Sequence, residues 1–166
     1  MKRIGVCCFV ILFFFCLTAQ AQTITVGFTV SKTGALNVDS LEQSNGFELW
    51  RDQVNAKGGI KAGGKSYQIK FVSYDDESNP KRVQQLYSRI ILEDKSDFLF
   101  STYSSGLTTT ASIVSEQYGK VMMTTGAADE KTYRQGNKYL FQMFAPATQY
   151  LEAAIDLLKA KDPKAI

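Results

Sequence analysis

Hydrophobic and polar positions along the chain show two periods in turn, one of two residues and one of three to four residues. Five stretches alternate every second residue or run apolar without a break, and most are rich in β-branched or aromatic residues, which is typical of strands. They are residues 24–30, 67–74, 98–100, 121–124 and 139–143. Between them, apolar residues recur at three- and four-residue intervals, which predicts amphipathic helices. The predicted helical segments are residues 40–56, 80–91, 105–118, 129–134 and 148–159.

The clearest helix start is Asn79-Pro80, because asparagine caps a helix and proline fits its first turn. Strands that alternate with helices favour parallel pairing through right-handed crossovers. The pattern therefore predicts an α/β fold with an open parallel sheet and flanking helices. Ligands of such sheets bind beyond the carboxyl ends of the strands.

The first 21 residues have the pattern of a secretory signal. Lys2 and Arg3 precede an apolar run over residues 4–17, and Ala19-Gln20-Ala21 is typical of a signal-peptidase site. The run is shorter than the roughly 20 residues of a membrane span. Cys16 lacks the preceding small residue that lipid attachment requires. We expect export after cleavage near Ala21, and the alternative is an uncleaved anchor.

Composition excludes several classes of function. All three cysteines lie in the signal, and the sequence has no histidine, so the usual thiol and Ser-His-Asp chemistries are missing. Removal of Lys2 and Arg3 reduces the 19 basic residues to 17, against 16 acidic ones. This balance gives no electrostatic reason to expect nucleic acid or an acidic membrane as a partner. We expect a protein that is not an enzyme and has no cofactor.

Two motifs suggest other chemistries but stand in unfavourable contexts. Residues 59–66 match the P-loop pattern G-x-x-x-x-G-K-S, yet a helix precedes them and a strand follows, the reverse of a phosphate-binding loop. An NTPase that uses Lys65 is therefore a minor alternative. Asp75-Asp76-Glu77 suggests a metal, but successive side chains of an extended chain point to opposite faces. We favour a polar loop there and expect no metal site.

Two junctions at strand ends are candidates for ligand binding. Residues 101–108, which include Tyr103, Ser104 and Ser105, lie where the third strand ends and a helix begins. A helix N-terminus with free N–H groups and nearby hydroxyls binds carboxylates. Residues 124–128 end the next strand with small residues. The Gly126 carbonyl is available to a ligand's donor groups, as are the Thr124 and Thr125 hydroxyls where they point inward. The alternatives are helix capping by the serines and a tight turn at Gly126.

Three further blocks carry a family resemblance: residues 24–34 with Thr33-Gly34, residues 55–60 (N-A-K-G-G-I), and residues 74–81 with Asp75-Asp76 and Asn79-Pro80. Together they resemble the leucine/isoleucine/valine-binding family of class I periplasmic solute-binding proteins of ABC transporters. The resemblance implies a Venus-flytrap fold, in which two α/β lobes joined by three crossovers enclose a small ligand. Residues 22–166 would then be the N-terminal lobe of a protein that is complete at its N-terminus, with the second lobe missing.

The resemblance also implies roles for single residues. Ser105 resembles the serine that binds the ligand's carboxylate, and Gly126 the carbonyl that receives its ammonium. Ala128 stands where amino-acid binders often have threonine, and its methyl group cannot hydrogen-bond an ammonium, which favours a small carboxylate, amide or aromatic acid over a branched-chain amino acid. Asp39 stands near the place of a tyrosine and either supplies a replacement negative charge or caps the following helix. The implied function is binding of an amino acid, small carboxylate or amide for an ABC permease. A ligand-sensing domain of a signalling receptor is the alternative.

Overall fold

A computed structural model describes residues 22–162 and 164, so the predicted signal lies outside the described residues. These residues form six strands and four helices. The strands are β1 (Gln22–Val30), β2 (Ile60–Ala62), β3 (Lys65–Asp75), β4 (Phe98–Phe100), β5 (Met122–Thr124) and β6 (Leu140–Gln142). The helices are α1 (Asn37–Ala56), α2 (Pro80–Leu92), α3 (Ser105–Gln117) and α4 (Glu152–Lys161), and 3-10 turns span Glu130–Thr132 and Ala147–Gln149.

The strands form one six-stranded sheet in the order β2-β3-β1-β4-β5-β6. All neighbouring pairs are parallel except β2 and β3. The chain first moves from β1 to β3 on one side and then returns to β4 on the other. A crevice therefore opens between the loops that leave β1 and β4, at the carboxyl edge of the sheet. The predicted open α/β sheet with flanking helices is confirmed.

Strand β2 was not expected from the pattern. It forms an antiparallel hairpin with β3, in which Ala62 pairs with Lys65 across Gly63-Gly64. Both glycines have positive φ, 56° and 74°, as a two-residue hairpin turn of type I′ requires. The P-loop look-alike is thus a β-hairpin, and among the described residues the helix N-terminus that would bind a phosphate is not next to it.

The two faces of the sheet carry separate cores. Helices α2 and α3 cover one face, where Tyr87, Ile90 and Leu99 are fully buried. Helix α1 packs on β1 and β3 on the other face, over a cluster of phenylalanines centred on Phe28. As predicted, Asn79 caps α2, since its side chain accepts hydrogen bonds from the backbone N–H groups of Lys81 and Arg82.

The face that carries α1 is only partly covered by the described residues. Beyond α1, a hollow of about 340 Å³ is lined by Phe47, Trp50, Phe100, Met123, Thr125 and Met143. Phe141 and Met143 are 50% and 67% exposed, and α4 contains no buried residue.

No helix among the described residues is long and apolar enough to cross a membrane.

Helix α1 begins at Asn37, three residues before the predicted start at Ser40. The apolar period that suggested Ser40 is weak in the first turn, where Val38 is exposed. The Ser40 hydroxyl instead accepts a hydrogen bond from the backbone N–H of Ser31 at 2.8 Å. Leu36 occupies the capping position, so Asp39 does not cap α1 but lies in its first turn.

Candidate functional site

A cleft of about 420 Å³ opens at the carboxyl edge of the sheet. Its walls come from the first turns of α1, the loop after β4, the loop after β5 and the segment after β6. The residues that line it are Asp39, Glu42, Gln43, Tyr103, Thr125, Gly126, Ala128, Phe144 and Tyr150. The cleft therefore lies where ligands of open α/β sheets bind.

Five of the seven residues singled out in the sequence meet in this cleft: Asp39, Tyr103, Thr125, Gly126 and Ala128. They come from three separate segments of the chain. Parallel strands bring them together because their carboxyl ends share one edge of the sheet. The two serines after Tyr103 lie outside the lining.

Ser104 and Ser105 have partners of their own at the start of α3. The Ser104 hydroxyl accepts from the backbone N–H of Leu107 at 3.3 Å, so Ser104 caps α3, which was the alternative to ligand binding. The Ser105 hydroxyl accepts from the backbone N–H of Asp129 at 3.1 Å. Because a hydroxyl both accepts and donates, Ser105 keeps a proton for another acceptor.

The floor of the cleft is formed by the loop after β5. The side-chain amide of Gln43 donates to the Thr125 hydroxyl at 2.6 Å, which joins α1 to this loop. A methyl group built on Gly126 would lie 3.1 Å from Gln43 Nε2 and 3.2 Å from Tyr103 Cδ2. Glycine therefore keeps this part of the cleft open.

Hydrogen bonds of the Tyr133 side chain hold the same loop in place. The Tyr133 hydroxyl donates to the carbonyl of Ala127 and shares a hydrogen bond with the Thr124 hydroxyl, both at 2.6 Å. Partial burial raises the pKa of Tyr133. Thr124 is fully buried, so of the two threonines only Thr125 lines the cleft.

The charged side chains that line the cleft are both acidic, Asp39 and Glu42. The pKa of Tyr103 is raised, first by partial burial and then by the negative charge of Asp39 close by. Asp39 lies in the first turn of α1, where the helix dipole stabilises a carboxylate. This wall therefore favours a positively charged or hydrogen-bond-donating group.

Sequence reasoning missed four lining residues. Glu42 and Gln43 stand three and four positions after Asp39 and so share its helical face, a spacing that would have indicated them once the helix start was known. Phe144 and Tyr150 also line the cleft, with ring centroids 6.0 Å apart and planes at 90°. They follow β6 in irregular chain and a short 3-10 turn, where periodicity carries no signal.

Asp75 and Asp76 accept hydrogen bonds from the loops that follow β1 and β3. Asp75 accepts from the backbone N–H groups of Lys32, Thr33 and Glu77. Burial opposes ionisation of Asp75, but these hydrogen bonds outweigh it and lower its pKa. Within residues 22–162, no group of three or more histidine, cysteine or acidic side chains is placed to hold a metal ion.

Ser104 adopts φ 78° and ψ 148°, a backbone region that is open mainly to glycine. We expect Ser104→Gly to be at least as stable as the wild type, because relief of strain offsets the lost cap. Ser104→Ala keeps the strain and loses the cap, so it should be less stable than Ser104→Gly by about 1–2 kcal/mol. Urea unfolding of both variants measures this difference. Equal stability would show that Ser104 is unstrained.

A family model described as periplasmic binding protein matches residues 23–166. The chain belongs to the periplasmic binding protein family. A Leu/Ile/Val-binding protein homolog 8 of Brucella abortus is 30% identical over 154 residues, which cover 89% of this chain and 37% of that protein. The resemblance seen in the sequence motifs is therefore confirmed at the level of the family.

Solved structures of periplasmic binding proteins have the same fold. The branched-chain amino acid binding protein LivJ of Streptococcus pneumoniae, solved with isoleucine, superposes with a TM-score of 0.68 at 23% identity, over 81% of this chain and 39% of LivJ. A solute-binding protein of Rhodopseudomonas palustris, solved with 3,4-dihydroxybenzoic acid, gives 0.69 at 18% identity, over 84% and 37%. The chain spans less than half the length of these relatives. The family consists of solute-binding proteins rather than enzymes.

Proposed function

We propose that this chain forms one wall of the ligand site of an exported solute-binding protein, which delivers a small molecule to an ABC permease. The observation that carries the proposal is the cleft at the carboxyl edge of the sheet, which is lined by Asp39, Tyr103, Thr125, Gly126 and Ala128. A second lobe would provide the other wall. Export would follow from cleavage of the signal near Ala21.

The chemistry of the cleft favours a ligand that presents an ammonium group to this wall. Asp39 and Glu42 attract a cation, and the Gly126 carbonyl is an acceptor for the same group. Ala128 contributes only a methyl group, so the carboxylates replace the hydroxyl that threonine would supply. The wall provides no positive side chain for an acid that lacks an amine.

The ligand's carboxylate would bind at the start of α3, which lies outside the lining itself but begins two residues after the lining residue Tyr103. The Ser105 hydroxyl has accepted one hydrogen bond and keeps a proton to donate, and the N-terminus of a helix attracts negative charge. An amino acid matches both ends of the site. A benzoate matches only one end, so we propose amino acids rather than aromatic acids as the ligand class.

Calorimetric titration of the full-length protein tests this assignment. The panel contains L-isoleucine, 3-methylpentanoate, 2-methylbutylamine and 3,4-dihydroxybenzoate. We expect isoleucine to bind, and loss of its ammonium to weaken binding at least about tenfold, the effect of about 1.4 kcal/mol. Absence of binding across the panel would reject the proposed function, and tighter binding of the two acids would reject an amino-acid ligand.

Neutralised variants of the acidic wall provide the matched comparison. Asp39→Asn and Glu42→Gln should each weaken isoleucine binding several-fold, because an exposed charge pair contributes about 0.2–1 kcal/mol. Asp52→Asn is the control, since Asp52 is an exposed carboxylate on the same helix but outside the cleft. Equal effects at all three positions would show that only the overall charge of the helix matters.

A further inference from the structure

Asp76 is a fully buried acidic residue directly after β3, outside the cleft lining. Its two oxygens accept four hydrogen bonds. Oδ1 accepts from the Ser31 hydroxyl at 2.5 Å and the Ser78 backbone N–H at 2.9 Å. Oδ2 accepts from the hydroxyls of Thr29 and Thr102 at 2.7 and 2.8 Å.

These donors lie in three segments at the carboxyl ends of neighbouring strands. Thr29 and Ser31 lie at the end of β1, Ser78 lies before α2, and Thr102 follows β4. The carboxyl ends of β1, β3 and β4 are therefore joined through one side chain. Buried polar groups in such a network are costly to leave unpaired, so the arrangement of the loops depends on Asp76.

Two of the contacts lead directly to the walls of the cleft. The Ser31 hydroxyl donates to Asp76, and the Ser31 backbone N–H donates to the hydroxyl of Ser40, the residue after Asp39. Thr102 immediately precedes Tyr103, and its carbonyl accepts from the Thr108 hydroxyl at 3.0 Å within α3. Asp76 thus connects the segment of Asp39 with the segment of Tyr103.

We infer that Asp76 is a positioning residue of the binding site, which holds the α1 wall and the Tyr103 wall at a fixed separation. The inference rests on the proposed function only for the identity of the ligand, because the local stability of the two walls can be measured without a ligand. All four partners of Asp76 are donors, so both of its side-chain oxygens act only as acceptors, as those of a carboxylate do. In asparagine an NH₂ group would replace one oxygen and would face donors.

Amide hydrogen exchange of ligand-free, full-length Asp76→Asn tests the inference. Exchange should accelerate at least about tenfold in residues 31–43 and 101–108, where local opening becomes easier. Asn55→Ala is the control, because the Asn55 side chain forms two hydrogen bonds with the backbone of Ile69, away from the cleft. In this control the acceleration should be confined to the neighbourhood of residues 55–69.

Thr102→Val provides a second, nearly isosteric variant, which removes one donor to Asp76 and keeps the volume. It should accelerate exchange in residues 101–108 and leave the segment of Asp39 unchanged.

The affinity for L-isoleucine should fall at least about tenfold in Asp76→Asn, as expected when a supporting contact of a site is lost, and remain unchanged in Asn55→Ala.

The outcomes separate this inference from the proposed function. Unchanged exchange in both segments of Asp76→Asn, or the same acceleration in residues 55–69, would overturn the positioning role. Accelerated exchange confined to residues 31–43 and 101–108 would support it even if isoleucine does not bind the wild type. That last result would count against the proposed ligand alone.

Discussion

Gly126→Val is expected to weaken ligand binding by at least about 100-fold, or about 2.7 kcal/mol, with the fold preserved. The new Cβ would already lie 3.1 Å from Gln43 Nε2 and 3.2 Å from Tyr103 Cδ2, and the two methyl groups extend further. They would fill the space between the α1 wall and Tyr103. The substitution is compatible with the backbone, because Gly126 does not adopt a positive φ.

Titration of the full-length variant with L-isoleucine measures this effect, and urea unfolding checks its stability. Gly126→Ala should give a smaller loss, since its single methyl group requires shifts of only a few tenths of an ångström. Gly46→Ala is the control, because nothing lies within 4 Å of a methyl group there. Wild-type affinity in Gly126→Val would mean that the ligand does not approach this loop.

Phe28→Ala is expected to destabilise the protein by about 3–5 kcal/mol, enough to unfold much of a marginally stable domain. Phe28 is fully buried at the centre of the core beneath α1. Its ring centroid lies 5.1 Å from that of Phe47 and 5.2 Å from that of Phe71, both in edge-to-face geometry. Truncation would therefore leave a cavity and remove two favourable aromatic contacts.

Denaturant unfolding of Phe28→Ala and Leu49→Ala measures the effect against a matched control. Leu49 lies on the same helix that covers Phe28 but is 60% exposed, so its truncation should cost less than about 0.5 kcal/mol. Equal midpoints for the two variants would contradict the assignment of the core. An altered slope would show that the compactness of the unfolded or native state has changed.

Most of the sheet was predictable because its strands are short alternating or apolar runs and its helices each bury one face. Val83, Tyr87 and Ile90 show this well, since their helical spacing places all three against the sheet. The hairpin at β2 was missed because Ile60, Lys61 and Ala62 are all exposed and carry no alternation. Only the conformational demands of Gly63-Gly64 reveal the turn.

The lining residues that directly follow strands could be predicted from the sequence. Thr125 and Gly126 follow a recognisable strand, and parallel topology brings them to the edge that carries Tyr103. The role of Asp39 required the true start of α1, which apolar spacing places three residues too late. Phe144 and Tyr150 depend on the path of an irregular segment, which tertiary contacts determine.

Asp76 shows a different limit of the sequence pattern. Three consecutive acidic residues indicate an exposed polar loop, and two of them do contact solvent. Asp76 is nevertheless fully buried, because Thr29, Ser31 and Thr102 converge on it from other strands. Donors that are 26 to 47 residues away along the chain leave no local signal.

A crystal structure of the full-length protein with L-isoleucine would show whether the cleft is the ligand site. We expect the ligand to occupy the cleft, with its ammonium nitrogen within about 3.2 Å of the Gly126 carbonyl and facing Asp39. Its carboxylate should accept a hydrogen bond from the Ser105 hydroxyl. A ligand bound away from Thr125 and Gly126, or bound with its carboxylate towards Asp39, would contradict this assignment of the site.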